Sequence, residues 1–135
     1  MLNLGFNCKF TIKQAELLAE LFNSFEVFQP ETDADTIAAL FACRLKNPLV
    51  VRNARILCYI MDQLSQKLMI TNLWQTEAEK QGCFVSVKGK PISRNTLSSA
   101  KYCAVKFDTL SLNKHLIEDY ISTLKKFTIS KKIVK

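Results

Sequence analysis

Arg52–Met69 reads RNARILCYIMDQLSQKLM, and its spacing decides the fold. Ile56, Leu57, Ile60, Met61, Leu64 and Leu68 recur at intervals of about three and four residues, which puts them on one face of an α-helix. Neither Gly nor Pro interrupts the run. A helix with so regular an apolar face must bury it against other elements, and the flanking sequence supplies them.

Upstream, Thr11 with Gln14 is a capping-box pattern that opens a first helix. Ile12, Ala15, Leu18, Leu21, Phe22 and Phe25 follow at helical spacing. The run FQPETDAD (Phe28–Asp35) is expected to be a connector, because Pro30 bars a continuing helix. A second helix is expected over Ala34–Leu45, with Ile37, Leu40, Phe41 and Leu45 inward, closed by the KNP of Lys46–Pro48.

Downstream of the third helix, Arg52–Met69, a fourth is expected over Asn72–Gln81. Leu73, Trp74 and Ala78 are its apolar residues, and Gly82 is its C-terminal cap. FVSVKGKPI (Phe84–Ile92) is extended and turns at Gly89. Its alternation sets Phe84, Ser86 and Lys88 against Val85 and Val87. Ser93 caps a fifth helix, Arg94–Lys106. FDTLS (Phe107–Ser111) is a break. A sixth helix spans Leu112–Phe127, with Leu112, Leu116, Tyr120 and Leu124 in one row and Ile117 and Ile121 beside it. The tail TISKKIVK (Thr128–Lys135) reads as a frayed end or an edge strand.

The chain has 135 residues, 48% of them hydrophobic and nine of them Phe, enough for a sizeable core and against disorder. Three Gly and three Pro are too few for a many-turned β fold. The expectation is one mainly α domain, a compact set of five to six helices with a minor β hairpin. Helix-turn-helix and winged-helix-like arrangements both stay open. Residues 1–46 form an N-terminal helical pair, and residues 47–135 form a basic helical region. MLNLGFNCKF lacks the basic start and long apolar run of a secretory signal. No apolar stretch approaches the roughly 18 residues of a membrane span. Cys8, Cys43, Cys58, Cys83 and Cys103 are widely spaced, odd in number and free of any CxxC pair. Reduced thiols in a cytoplasmic protein, with no membrane partner, are therefore expected.

The formal net charge of +7 is uneven. Residues 1–46 carry four basic and six acidic groups, residues 47–107 carry nine and three, and residues 108–135 carry six and three. Lys80, Lys88, Lys90, Arg94, Lys101 and Lys106 follow one another with no acid between them. Such a stretch attracts nucleic acid, acidic lipid or acidic protein, although a merely solvated surface uses the same residues.

On a wheel of about 100° per residue, Leu97, Ala100 and Ala104 cluster on one side of the fifth helix, with Cys103 at the margin. Arg94, Asn95, Ser98, Tyr102 and Lys106 occupy the other side, and Lys101 lies at the edge. Arg and Asn pair with base edges in a major groove, while Ser, Tyr and Lys commonly meet phosphate. The start of the helix itself attracts phosphate. Lys88 and Lys90, on the preceding turn, would add phosphate contacts. The expected nucleic-acid-binding set is thus Lys88, Lys90, Arg94, Asn95, Ser98, Tyr102 and Lys106. A plain exposed helix face would look alike. The linker of about ten residues before this helix exceeds the turn of a tight helix-turn-helix. Its extended segment precedes the candidate helix, whereas the hairpin of a winged helix follows the recognition helix.

Taken together, ILCYIMDQL, LWQTEAEKQGCF and VKGKPISRNTLSSA resemble the C-terminal part of RteC-like proteins of Bacteroides mobile elements. Trp74, Phe84, Lys88, Gly89, Lys90, Leu97 and Ser98 carry the resemblance, which covers residues 52–104. It implies a winged-helix-like regulator that binds promoter DNA of a conjugative element.

Catalysis is not expected. The single histidine, His115, has only Asp119 as a close sequence partner. No Cys/His set has zinc spacing, and no glycine-rich phosphate loop is present. Glu77 and Glu79 stand two apart and point away from each other on a helix. Cys83, beside basic residues, could have a lowered thiol pKa, but no His stands near it in sequence. Trp74 could stack on a base or fill the core. No cofactor and no metal are expected. The competing non-enzymatic reading is a helical interaction or dimerisation module. The apolar stripe of the sixth helix and the Phe-rich first helices would then dock a partner, with a homodimer as the simplest case.

Overall fold

The computed structural model describes residues 10–67, 69–106 and 111–134, without the side chains of 103–106, 111–113, 125 and 127–134. The element order is α1 (Ile12–Ser24), β1 (Phe28–Gln29), α2 (Ala34–Phe41), β2 (Leu49–Val51), α3 (Ala54–Gln66), α4 (Trp74–Gln81), β3 (Phe84–Val85), α5 (Arg94–Lys106) and α6 (Ser111–Val134). The fold is mainly helical with a minor β element, as the periodicity predicts.

The capping box at α1 forms in full. Thr11 Oγ1 accepts from the Gln14 amide at 3.1 Å, and Gln14 Oε1 accepts from the Thr11 amide at 2.9 Å. Gln14 is buried, and its Nε2 donates to the Leu124 carbonyl at 3.0 Å, so the cap also fastens α1 to α6.

The ends of α1 and α2 share one device. The amides of Glu26 and Val27 donate to Asn23 and Phe22, and those of Cys43 and Arg44 donate to Leu40 and Ala39. This paired bonding puts Glu26 (φ 52°) and Cys43 (φ 59°) in the left-handed conformation usually given to Gly. It stops α2 at Phe41, four residues short of the expected Leu45. Gly82 (φ 63°) ends α4 as expected. α3 begins at Ala54 rather than Arg52. Asn53 Oδ1 caps the Ile56 amide at 3.2 Å, and the Arg52 amide is spent on the Val27 carbonyl at 2.7 Å. α3 ends at Gln66, and Leu68 lies outside the described residues. α4 starts at Trp74, after a bond from the Leu73 amide to Thr71 Oγ1 at 3.2 Å.

The three strands form a small sheet in the order β1-β2-β3. β1 pairs antiparallel with β2 (Phe28 opposite Val51), and β2 pairs parallel with β3 (Leu49 opposite Phe84). β1 corrects the expectation that Phe28–Asp35 is only a connector. The expected hairpin forms as one antiparallel bridge, Val85 opposite Pro91, while β3 pairs with β2 along its other edge. The rings of Phe22, Phe28 and Phe84 pack in sequence, with centroids 5.0 and 5.9 Å apart. That line of aromatic contacts joins α1 to both outer strands.

α3 packs against α5 and α6, α1 against α2 and α6, and α4 against α5. Every residue from Ile56 to Asp62 is buried, so α3 is enclosed on nearly all sides. Leu18, Phe22, Ile37, Leu57, Ile60, Trp74, Phe84, Leu97 and Ile121 all belong to one core cluster. α6 buries Ile117, Ile121 and Leu124. Leu116, expected inward, is 54% exposed, because a one-residue step turns it about 100° off that row. The tail is helical to Val134 rather than frayed or a strand. Its sequence has no Gly or Pro to stop the helix. The break expected at Phe107–Ser111 falls mostly outside the described residues.

Candidate nucleic-acid interface

The turn before α5 is built around Ser86. Its amide donates to the Lys90 carbonyl at 2.8 Å, and its carbonyl accepts from Gly89 at 2.8 Å. Its hydroxyl oxygen accepts from the amides of Lys88 at 3.3 Å and Lys90 at 3.2 Å. Gly89 has φ 84°, a conformation that strains any side-chain-bearing residue. Lys88 and Lys90 are therefore carried to the surface on a turn hydrogen-bonded from within, anchored below by the Ile92 amide on the Phe84 carbonyl at 3.0 Å.

Ser93 caps α5 as expected, its hydroxyl accepting from the Thr96 amide at 3.2 Å. Leu97 is fully buried, and its carbonyl accepts the Cys58 thiol at 3.3 Å, which ties α5 to α3. On the other side, Arg94, Asn95, Ser98 and Tyr102 are all exposed. The Lys106 side chain lies outside the described residues. Lys88, Lys90 and Arg94 form no ion pair among the described residues.

Two residues of the stretch turn inward or sideways. Lys101 Nζ lies 3.2 Å from Asp62 Oδ1, a carboxylate only 8% exposed, whose other oxygen accepts Gln66 Nε2 at 2.6 Å. The Lys101 ammonium thus belongs to the packing of α5 on α3. Ser98 Oγ donates to Gln75 Oε1 at 2.9 Å, which brings α4 into the surface. Sequence reasoning missed Gln75, and only its place beside the buried Trp74 signals it. Val87 (61% exposed), Tyr102 (58%) and Leu73 (62%) add apolar surface on the turn, on α5 and just before α4.

Trp74 is a core residue. Burial pushes the Cys83 thiol up to about 12, with further upward contributions from Cys43 and Glu77. That overturns the expectation of a lowered value, because the thiol is sealed from the basic groups that would stabilise its anion. His115 and Asp119 are both exposed on α6. Among the described residues, no group of three or more His, Cys, Asp or Glu could hold a metal. An open cleft of about 500 Å³ lies between the start of α2 and residues 44–49, with Asp33, Asp35, Arg44 and Lys46 on its walls. None of the candidate contact residues lines it. No helix among the described residues is long and apolar enough to cross a membrane.

No family model, curated protein or solved structure matches this chain.

Proposed function

We propose that the Ser86–Lys90 turn and the outer face of α5 bind DNA. The chain would act without catalysis, as a regulator of promoter DNA in a mobile element, the role implied by the RteC-like resemblance. One observation carries this reading. Lys88, Lys90 and Arg94 stand exposed at the entry to α5 with no ion pair among the described residues. Cations so placed gain by displacing counterions from a phosphate backbone. Lys88 and Lys90 meet phosphate. Arg94 and Asn95, in the first turn of α5, meet base edges, and Tyr102 and Lys106 extend the contact along the helix. α4 is the poorer helix to lie along the groove, because Glu77 and Glu79 would repel phosphate, and only its first turn borders the α5 face.

A second reading rests on the exposed Val87, Tyr102 and Leu73. Exposed apolar side chains, two of them beside Lys88 and Lys101 in sequence, also suit an acidic protein partner or a second copy of the chain. A shift assay with fragments flanking the chain's own gene, at two salt concentrations, separates the two. Binding at low salt that collapses at high salt supports the DNA reading. No binding at low salt, together with salt-insensitive self-association, refutes it and favours the second.

A further inference from the structure

Ser98 and Gln75 stand 23 positions apart, and their hydrogen bond joins the outer surfaces of α5 and α4. A Gln on an open surface samples many rotamers and loses that freedom when it binds. Gln75 is already held, because its Oε1 accepts the Ser98 hydroxyl at 2.9 Å and its residue is half-buried beside Trp74. The bond restrains the amide from its oxygen end. Nε2 makes no hydrogen bond among the described residues, and Oε1 keeps a second lone pair. A donor and an acceptor thus stand side by side at the margin of the α5 face.

We infer that Gln75 reads an adenine edge in duplex DNA and that Ser98 is the positioning residue that holds it. The inference rests on the DNA reading above and adds to it a second helix and a base preference. Adenine offers an acceptor at N7 beside a donor at N6, the complement of one amide. Guanine offers two acceptors, N7 and O6, and suits the two donors of Arg94 instead. The face would therefore divide its reading, with Arg94 taking guanine and Gln75 taking adenine. Ser98, expected to touch phosphate, would use its hydroxyl within the protein.

The test is selection of bound duplexes from a randomised library by the full chain and by Gln75→Ala, Gln75→Glu, Ser98→Ala and Ser98→Thr. Thermal melts check each fold. Gln75→Ala should lower discrimination for adenine at one position about tenfold, with affinity for random DNA kept within about twofold. Ser98→Ala should lower the same preference by a smaller factor, and Ser98→Thr, which keeps the hydroxyl, should restore it. Gln75→Glu should move the preference toward cytosine, whose N4 amino group donates to a carboxylate. Equal losses on every sequence would make Gln75 a phosphate contact and overturn the inference while leaving the DNA reading intact. An unchanged preference in Ser98→Ala would overturn the positioning role. No duplex binding by the unmodified chain at low salt would overturn both readings.

Discussion

Lys101→Ala separates structure from function within the basic stretch. Lys101 lies among the groups that give this region its charge, yet its ammonium sits 3.2 Å from Asp62. At that distance the attraction is about 1.3 kcal/mol in the dielectric of water and about 5 kcal/mol at an effective value near 20. The Asp62 side chain is 8% exposed and that of Lys101 is 42% exposed, so the pair straddles the rim, and desolvation returns much of the larger figure. Deleting the ammonium alone leaves a buried carboxylate with Gln66 as its remaining partner. The expected cost is about 1–3 kcal/mol. For a chain of 135 residues, each kcal/mol corresponds to roughly 3–5 °C in Tm. Lys101→Ala with Asp62→Asn should be more stable than Lys101→Ala alone, since no orphaned charge is left. DNA affinity and its salt slope should hardly move. Urea and thermal melts of the two single variants and the double variant, with titrations at two salt concentrations, supply all the numbers. If Lys101→Ala melts like the parent and binds DNA more weakly, the ion pair is incidental and Lys101 is a contact residue.

Neutralising Lys88 and Lys90 together should weaken specific and random DNA alike and flatten the salt slope by roughly one to two units, read from binding curves across a salt series. Glu26→Gly should stabilise the fold by about 0.5–1 kcal/mol in urea melts, because it relieves a left-handed conformation. The lost pair with Arg52, 3.7 Å long with Glu26 73% exposed, is worth little against that gain. Cys58 and Cys83, both pushed up to about 12 by burial, should resist alkylation at neutral pH until the chain unfolds, as followed by mass spectrometry. Above the ordinary thiol value of 9.0 the unfolded chain loses those protons first. Stability should therefore be full below that pH and fall as pH rises toward about 12.

Three helix boundaries marked by a side-chain or glycine signal were legible in the sequence, while the equally local Asn53 cap of α3 was passed over. Thr11 and Gln14, Ser93, and Gly82 each do what their residue type predicts, because each acts on backbone groups within a few positions. The end of α2 was not legible, since the left-handed residue is Cys43, and nothing local distinguishes it from a helical cysteine. β1 and β2 were hidden, because strands of two or three residues have almost no alternation to detect. β3 falls inside the stretch expected to be extended, but its pairing with β2 depends on residues far away in sequence. The same division runs through the candidate site. Period alone predicts that Arg94, Asn95, Ser98 and Tyr102 face outward, and they do. Period cannot say what an outward group does once a second helix stands beside it. α5 packs against both α3 and α4, which widens its occupied arc until Lys101 reaches Asp62 on one flank and Ser98 reaches Gln75 on the other. A wheel drawn for one helix sets Ser98 on the open face and Lys101 at its edge, and shows a partner for neither. Packed between two helices, one ammonium is committed to the fold and one hydroxyl to a neighbour's amide. Among the described side chains of the turn and α5, the cations in no ion pair are Lys88, Lys90 and Arg94, which all precede the stretch where Ser98 and Lys101 meet α4 and α3.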